Sequence, residues 1–170
     1  MRGAWQRSLY VFSLARNGVL KPPFNMQLLR YTYKQKNDWT CGPAVARIIL
    51  HYYGRKSTIS DLVKQLRTTK AGTENRYVIN LFKRNDIKFF VRKKSSVLEI
   101  KKYLKKYLII VAYWIPNCKE AHYSIIKKIN SRRVYFHDTW FGSSHSYSLK
   151  YFLRNWHDGE TTRWLMAVKK

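Results

Sequence analysis

The sequence predicts an α+β domain in which a helical first half packs on a mainly antiparallel sheet. Two observations carry that expectation. Through residue 84 apolar residues recur at helical spacing, whereas from residue 87 onward runs rich in β-branched and aromatic residues dominate. The second is "KINSRRV", a polar turn joining two of those runs; it reads as a hairpin, and hairpin-linked strands following helices favour an antiparallel sheet. A chain of 170 residues suits one domain and buries enough core to fold without disulfide staples.

The elements follow in chain order. Residues 1–25, "MRGAWQRSLYVFSLARNGVLKPPFN", hold Arg2, Arg7, Arg16 and Lys21 with no acid and end at a Pro-Pro break. They read as an N-terminal extension, either a targeting segment or residues ahead of a functional start at Met26, and residues 26–170 as the folded domain. Gly42-Pro43 opens a helix in which Ala44, Val45, Ile48, Ile49 and Tyr52 share one face, and Gly54 closes it. Thr58 with Asp61 starts a short helix "DLVKQLR", and Thr73 stands where a cap for "ENRYVINLFKR" is needed. Ser96 caps a fourth helix, "VLEIKKYLKK", and "SLKYFLRNW" is a fifth. "IKFFVRK", "YLIIVAYWI", "HYSIIKKI", "RVYFHDT" and "RWLMAVK" supply the strands.

Charge is the outlier in the composition. Lys and Arg outnumber Asp and Glu 34 to 9, a formal net charge of +25, so the surface carries a positive field that attracts an acidic partner. The basic residues are spread along the whole chain, and no zinc-finger, RRM-like or P-loop pattern turns that charge into sequence reading, so specific nucleic-acid recognition is not indicated. An anionic membrane surface or an acidic peptide remains a candidate partner. No apolar run approaches the about 20 residues of a membrane span. Cys41 and Cys118 are too few for a disulfide framework and fit the cytoplasm or another reducing compartment.

Cys41 lies where a loop becomes a helix, in "YKQKNDWTCGPAVARIILHYYG". There a thiol meets unpaired backbone N–H groups and the positive end of the helix dipole, both of which favour the thiolate nucleophile. Gly42 would let substrate approach the backbone, and Pro43 fits a first turn that needs no N–H. The competing reading is a small core residue, since free cysteine is among the most buried residue types. Acyl transfer at a thiol requires a base, a group that orients it, and oxyanion donors. Gln35, in the loop feeding the helix, is a candidate donor alongside the Cys41 N–H, or else a solvated loop glutamine. Among the five histidines, His51 lies ten residues along the helix from Cys41, a rise of about 15 Å that puts it out of reach. His145 and His157 fall in a Ser-rich loop and at a helix end. His122 begins the strand "HYSIIKKI" after a loop, and Asp138 ends "VYFHD", where it is either an orienting carboxylate or a turn residue. Adjacent His137 cannot share its face within a regular strand.

Taken together and in order, Gln35 with Cys41 in "QKNDWTCGPA", then "HYYG", Gly72-Thr73, "HYSII" and "HDTWFG" resemble the bacteriocin-processing, double-glycine-leader cysteine peptidases, a papain-like family. The resemblance runs from about Tyr33 to the C-terminus. It implies a papain-like fold, Cys41 as nucleophile, His122 as base, Asp138 as its orienter and Gln35 as oxyanion donor, with no metal or other cofactor. It also implies a peptide or protein substrate, cleaved after a Gly-Gly pair in a cleft that Trp39, Trp114 and Trp140 would wall, with Gly42 beside it. An acidic leader would suit the +25 charge. Two positions depart from the family's pattern: Thr40 precedes the nucleophile in place of Asp or Ser, and Thr139 follows the orienting Asp in place of the common Pro. The family domain is usually fused to an ABC exporter, and no P-loop follows here. The alternative within the same fold is a catalytically silent module that binds a peptide or a nucleic acid. Cys118, four residues before His122, brings too few ligands for structural zinc and is a spectator or a redox partner of Cys41.

Overall fold

The structure, a computed structural model, describes residues 32–170; the N-terminal extension expected at 1–25 lies outside them. A 3₁₀ turn, Asp38–Thr40, leads into α1 (Cys41–Tyr52), followed by α2 (Ile59–Gln65), α3 (Asn75–Arg84), β1 (Phe89–Arg92), α4 (Val97–Leu104), β2 (Tyr107–Ile115), β3 (Glu120–Ile129), β4 (Arg133–His137), β5 (Ser146–Ser148), α5 (Leu149–Asn155) and β6 (Leu165–Lys169). All strands form one six-stranded antiparallel sheet in the order β1-β6-β2-β3-β4-β5. The α+β expectation holds, and β3 and β4 pair across the "NSRR" turn with Ile129 opposite Val134.

The helices cover both faces of the sheet. Ile110 and Ala112 of β2 turn toward α1, α2 and α3 and share a core with Ile48, Leu62, Val78 and Phe82. The alternating residues Ile109, Val111 and Tyr113 turn the other way, to Ile100 of α4 and Phe152 of α5. Burial on both faces is why "LIIVA" reads as an unbroken apolar run. α1 is apolar nearly all round, and only Arg47, His51 and Tyr52 of its length escape full burial. Its end is a Schellman motif: the Arg55 N–H donates to the Leu50 carbonyl and the Gly54 N–H to the His51 carbonyl, both at 2.9 Å, with Gly54 at φ +74°.

Caps behave as the sequence predicts in two helices of three. The Thr58 hydroxyl accepts the Asp61 N–H at the start of α2, and Ser96 with Glu99 forms a full capping box on α4. Thr73 does not cap α3. The N-cap is Glu74, and the Thr73 hydroxyl pairs with that of Thr68 at 2.7 Å. That pairing ties the two ends of the connection between α2 and α3, and the Thr73 side chain packs against Gly42 at the start of α1.

Candidate active site

Cys41 is the first residue of α1 and 2% exposed, and the N–H groups of a first helical turn have no acceptor within the helix. The turn in front of it is tied internally. The Thr40 hydroxyl donates to the Asn37 carbonyl at 3.0 Å, and the Gln35 side-chain nitrogen donates to the carbonyls of Asn37 and Asp38 at 2.8 and 2.9 Å. Gln35 is therefore no solvated loop residue; it is 3% exposed and braces the turn that presents Cys41. Gly42 has a different role from the one its sequence position suggests. A Cβ there would stand 2.5 Å from the Thr73 hydroxyl oxygen and 2.7 Å from the Thr73 Cβ, so the space expected to admit substrate is filled by Thr73. Glycine is needed for this close packing.

His122 enters from β3, where it is paired with Tyr113 of β2. Its Nε2 lies 3.0 Å from Asp138 Oδ2, and both side chains are buried. The Tyr113 hydroxyl donates to the same carboxylate oxygen at 3.3 Å. Asp138 follows directly after β4, so the pleat no longer dictates its direction, and His137 turns into the protein instead. Asp138 makes the contacts that both of its readings require. Its Oδ1 accepts the N–H groups of Trp140 and Phe141 at 2.8 Å each, as a turn residue does, and this leaves Oδ2 for the imidazole. With Nε2 committed to Asp138, Nδ1 is the nitrogen left for Cys41, whose thiol is near enough to raise the imidazole's pKa.

These contacts set the charges. Burial pulls the His122 pKa down, but the Asp138 hydrogen bond, the neighbouring Cys41 and the charges of both outweigh it and hold it up at about 10. For Asp138, burial pushes upward; the His122 hydrogen bond and charge, with the two turn N–H groups, override it and hold the carboxyl at about 2. The pair is thus an imidazolium on a carboxylate at neutral pH. Burial, joined by the neighbouring carboxylate, drives the Tyr113 phenol well above its ordinary value, so it stays a neutral donor. An imidazole, a carboxylate and a thiol from three segments far apart in sequence thus lie together.

The remaining predicted residues fall in different places. Trp39 sits half-buried in the turn before Cys41, and Trp140 is 39% exposed beside Asp138, so both flank the site along the chain. Trp114 instead stacks on His157, with centroids 5.8 Å apart. Three contributors escaped the sequence reading. Tyr113 is a donor to Asp138 only through strand register, which the sequence does not state. Phe141, 43% exposed, lies T-shaped to the His122 ring with centroids 6.0 Å apart. Thr139 donates its hydroxyl to Gln35 Oε1 at 2.6 Å, and only its departure from the family pattern drew notice to it. Beside Thr73 lies a cleft of about 230 Å³ lined by Gly72, Ala112, Ala121, Tyr123 and Asp158. Among the described residues no group of three or more His, Cys, Asp or Glu side chains is arranged to hold a metal ion, and Cys41 and Cys118 are both free thiols.

Comparison with known proteins bears on the fold and the family. No curated protein sequence matches the chain. Among solved structures, the peptidase domain of Streptococcus ComA, described as a bifunctional ABC transporter of a quorum-sensing pathway, superposes with a TM-score of 0.62 at 18% identity, over 81% of this chain and 96% of that one. A double-glycine-motif protease from an AMS/PCAT transporter, solved with its leader peptide, gives 0.61 at 16% identity over 81% and 89%. A C39-like peptidase from Bacillus anthracis gives 0.66 at 12% identity over 82% and 94%. At these identities the structures establish the papain-like α+β fold. The model of the peptidase C39 family matches residues 30–161, well over half of the sequence, and the chain therefore belongs to that family.

Proposed function

We propose that the chain is a cysteine peptidase that cleaves a peptide bond, after a Gly-Gly pair, through Cys41, His122 and Asp138. One observation carries this reading: the buried His122 ring is fixed through Nε2 on the Asp138 carboxylate at 3.0 Å, which leaves Nδ1 for the neighbouring Cys41 thiol. A cationic imidazole beside the thiol favours the thiolate. That sulfur attacks the peptide carbonyl carbon, and the oxyanion is met by the Cys41 N–H; Gln35, whose two side-chain N–H groups are given to the Asn37 and Asp38 carbonyls, is no donor to it and instead braces the turn that aims that N–H. Collapse expels the amine, which takes the Nδ1 proton of His122, and leaves an acyl thioester. Water then attacks the thioester and gives its proton to His122; the carboxylic acid departs and the thiolate returns. Throughout, Asp138 keeps Nε2 protonated and holds the ring in place.

Peptide as substrate is supported by the fold shared with a protease solved on its leader peptide. The cleft next to Thr73 has Gly72, Ala112 and Ala121 among its lining residues, which suits a segment without bulky side chains. A basic cleft is what supports an acidic segment in the substrate. An open cleft of about 610 Å³ at the far end of α1 is lined by Arg47, Arg55 and Lys56, and its single acid, Asp61, is hydrogen-bonded to Thr58. The test is cleavage of a fluorogenic peptide carrying a Gly-Gly pair, with Cys41→Ala and His122→Ala as controls. Cleavage after the pair that both variants abolish supports the reading. Binding of that peptide with no cleavage and no acyl-enzyme in mass spectra would identify a silent binding module instead.

A further inference from the structure

Thr139 and Gln35 join the two halves of the site. The Thr139 hydroxyl reaches Gln35 Oε1 at 2.6 Å, the Gln35 N–H donates to the Thr139 carbonyl at 2.8 Å, and the two residues are 1% and 3% exposed. The direction of the side-chain bond is not arbitrary. Gln35 Nε2 faces the carbonyls of Asn37 and Asp38, which accept only, so Oε1 must be the end at Thr139 and the hydroxyl must be the donor. Thr139 lies next to Asp138 in sequence, and the braced turn ends at Cys41. One hydrogen-bonded clasp therefore runs from the orienting carboxylate's turn, through the Gln35 amide, to the turn that aims the Cys41 N–H.

We infer that Thr139 is a positioning residue for the oxyanion site, acting through Gln35. This rests on the peptidase reading above. Without the hydroxyl, Oε1 is a buried acceptor with no donor, a costly state that is relieved when the side chain swings out. The same movement frees the Asn37 and Asp38 carbonyls, and the turn before Cys41 loosens with them. The Cys41 N–H then loses its aim at the oxyanion, while His122 and Asp138 keep their own contacts. A serine at this position restores the hydroxyl, whereas valine keeps the shape and removes it.

The test compares wild type, Thr139→Val, Thr139→Ser and Gln35→Ala by three readouts: kcat and KM on the Gly-Gly peptide, inhibition by a peptide aldehyde, and alkylation by iodoacetamide. The aldehyde forms a hemithioacetal whose oxygen occupies the oxyanion site; iodoacetamide alkylation is a displacement with no oxyanion. The expected result for Thr139→Val is a loss of at least tenfold in kcat with KM within about threefold. Aldehyde inhibition should weaken by a similar factor and alkylation stay within twofold, with Thr139→Ser near wild type. In the Gln35→Ala background, Thr139→Val should change aldehyde inhibition by less than twofold, a measurement that stands even where the single valine variant folds poorly. Unchanged aldehyde inhibition in Thr139→Val overturns the proposal alone. Alkylation falling in step with cleavage overturns it too, by assigning Thr139 to the triad. A wild-type protein that neither cleaves nor binds the aldehyde overturns the peptidase reading and this inference with it.

Discussion

Replacing Asp138 by Asn separates orientation from mere packing at the centre of the site. The two N–H groups of Trp140 and Phe141 require an acceptor, so the amide oxygen takes the place of Oδ1 and the NH2 group is left facing His122. At 3.0 Å from Nε2, that NH2 meets a second donor. The ring must shed the Nε2 proton and carry it on Nδ1, where it faces the sulfur and can no longer accept from it. A Coulomb estimate for charges 3.0 Å apart at an effective dielectric of about 20 is about 5 kcal/mol. Desolvation cancels much of it, and hydrogen bonds involving a charged group net about 1.5–3 kcal/mol. At about 1.4 kcal/mol per tenfold this gives a floor of about 10- to 150-fold in kcat/KM. The reversed tautomer adds to the loss, toward the about 10⁴-fold drop in kcat known for the same change in a serine triad. The assay is kcat/KM on the Gly-Gly peptide, with circular dichroism to verify folding. A folded Asp138→Asn protein retaining more than a third of wild-type kcat/KM would refute the orienting role.

Three further predictions follow from the same contacts. The His122 pKa is raised, so its contribution to stability is complete below pH 6.5 and fades as pH rises toward about 10; that of Asp138, whose pKa is lowered, is complete above 3.8 and fades as pH falls toward about 2. The alkaline limb of kcat/KM should therefore lie well above 6.5, and a pH profile falling off near 6.5 would contradict the buried ion pair. Gly42→Ala should cost about 1–3 kcal/mol by overpacking against Thr73, read as a lower urea midpoint, and an unchanged midpoint would show that Thr73 yields freely. With a peptide bearing an acidic segment, kcat/KM should fall as salt rises through a higher KM, and Arg55→Glu should remove most of that dependence; a salt-independent KM sinks the charge argument.

Much of this was legible in the sequence, for identifiable reasons. Helix α1 and strands β2 and β3 are buried over most of their length, so their apolar content overwhelms local ambiguity. The stop of α3 at Arg84 was read as it stands, whereas α2 ends at Gln65 rather than Arg67, because Arg67 at φ 48° takes the left-handed position usually marked by glycine. β5 is three residues of Ser-Tyr-Ser, too short for a period to register. At the site, Cys41, His122 and Asp138 carried recognisable chemistry and order. Tyr113 depended on cross-strand register, Thr139 on a contact 104 positions away in sequence, and the true task of Gly42 on packing with Thr73, none of which leaves a local pattern.

The central claim is that His122 activates Cys41. Its most direct test is the rate of alkylation of Cys41 by iodoacetamide at pH 7, followed by mass spectrometry in a Cys118→Ser background and repeated with His122→Ala. The account predicts that Cys41, although buried, reacts faster than a free cysteine, and that His122→Ala removes the advantage by at least tenfold. A Cys41 that reacts no faster than free cysteine, with a rate indifferent to His122, would contradict it.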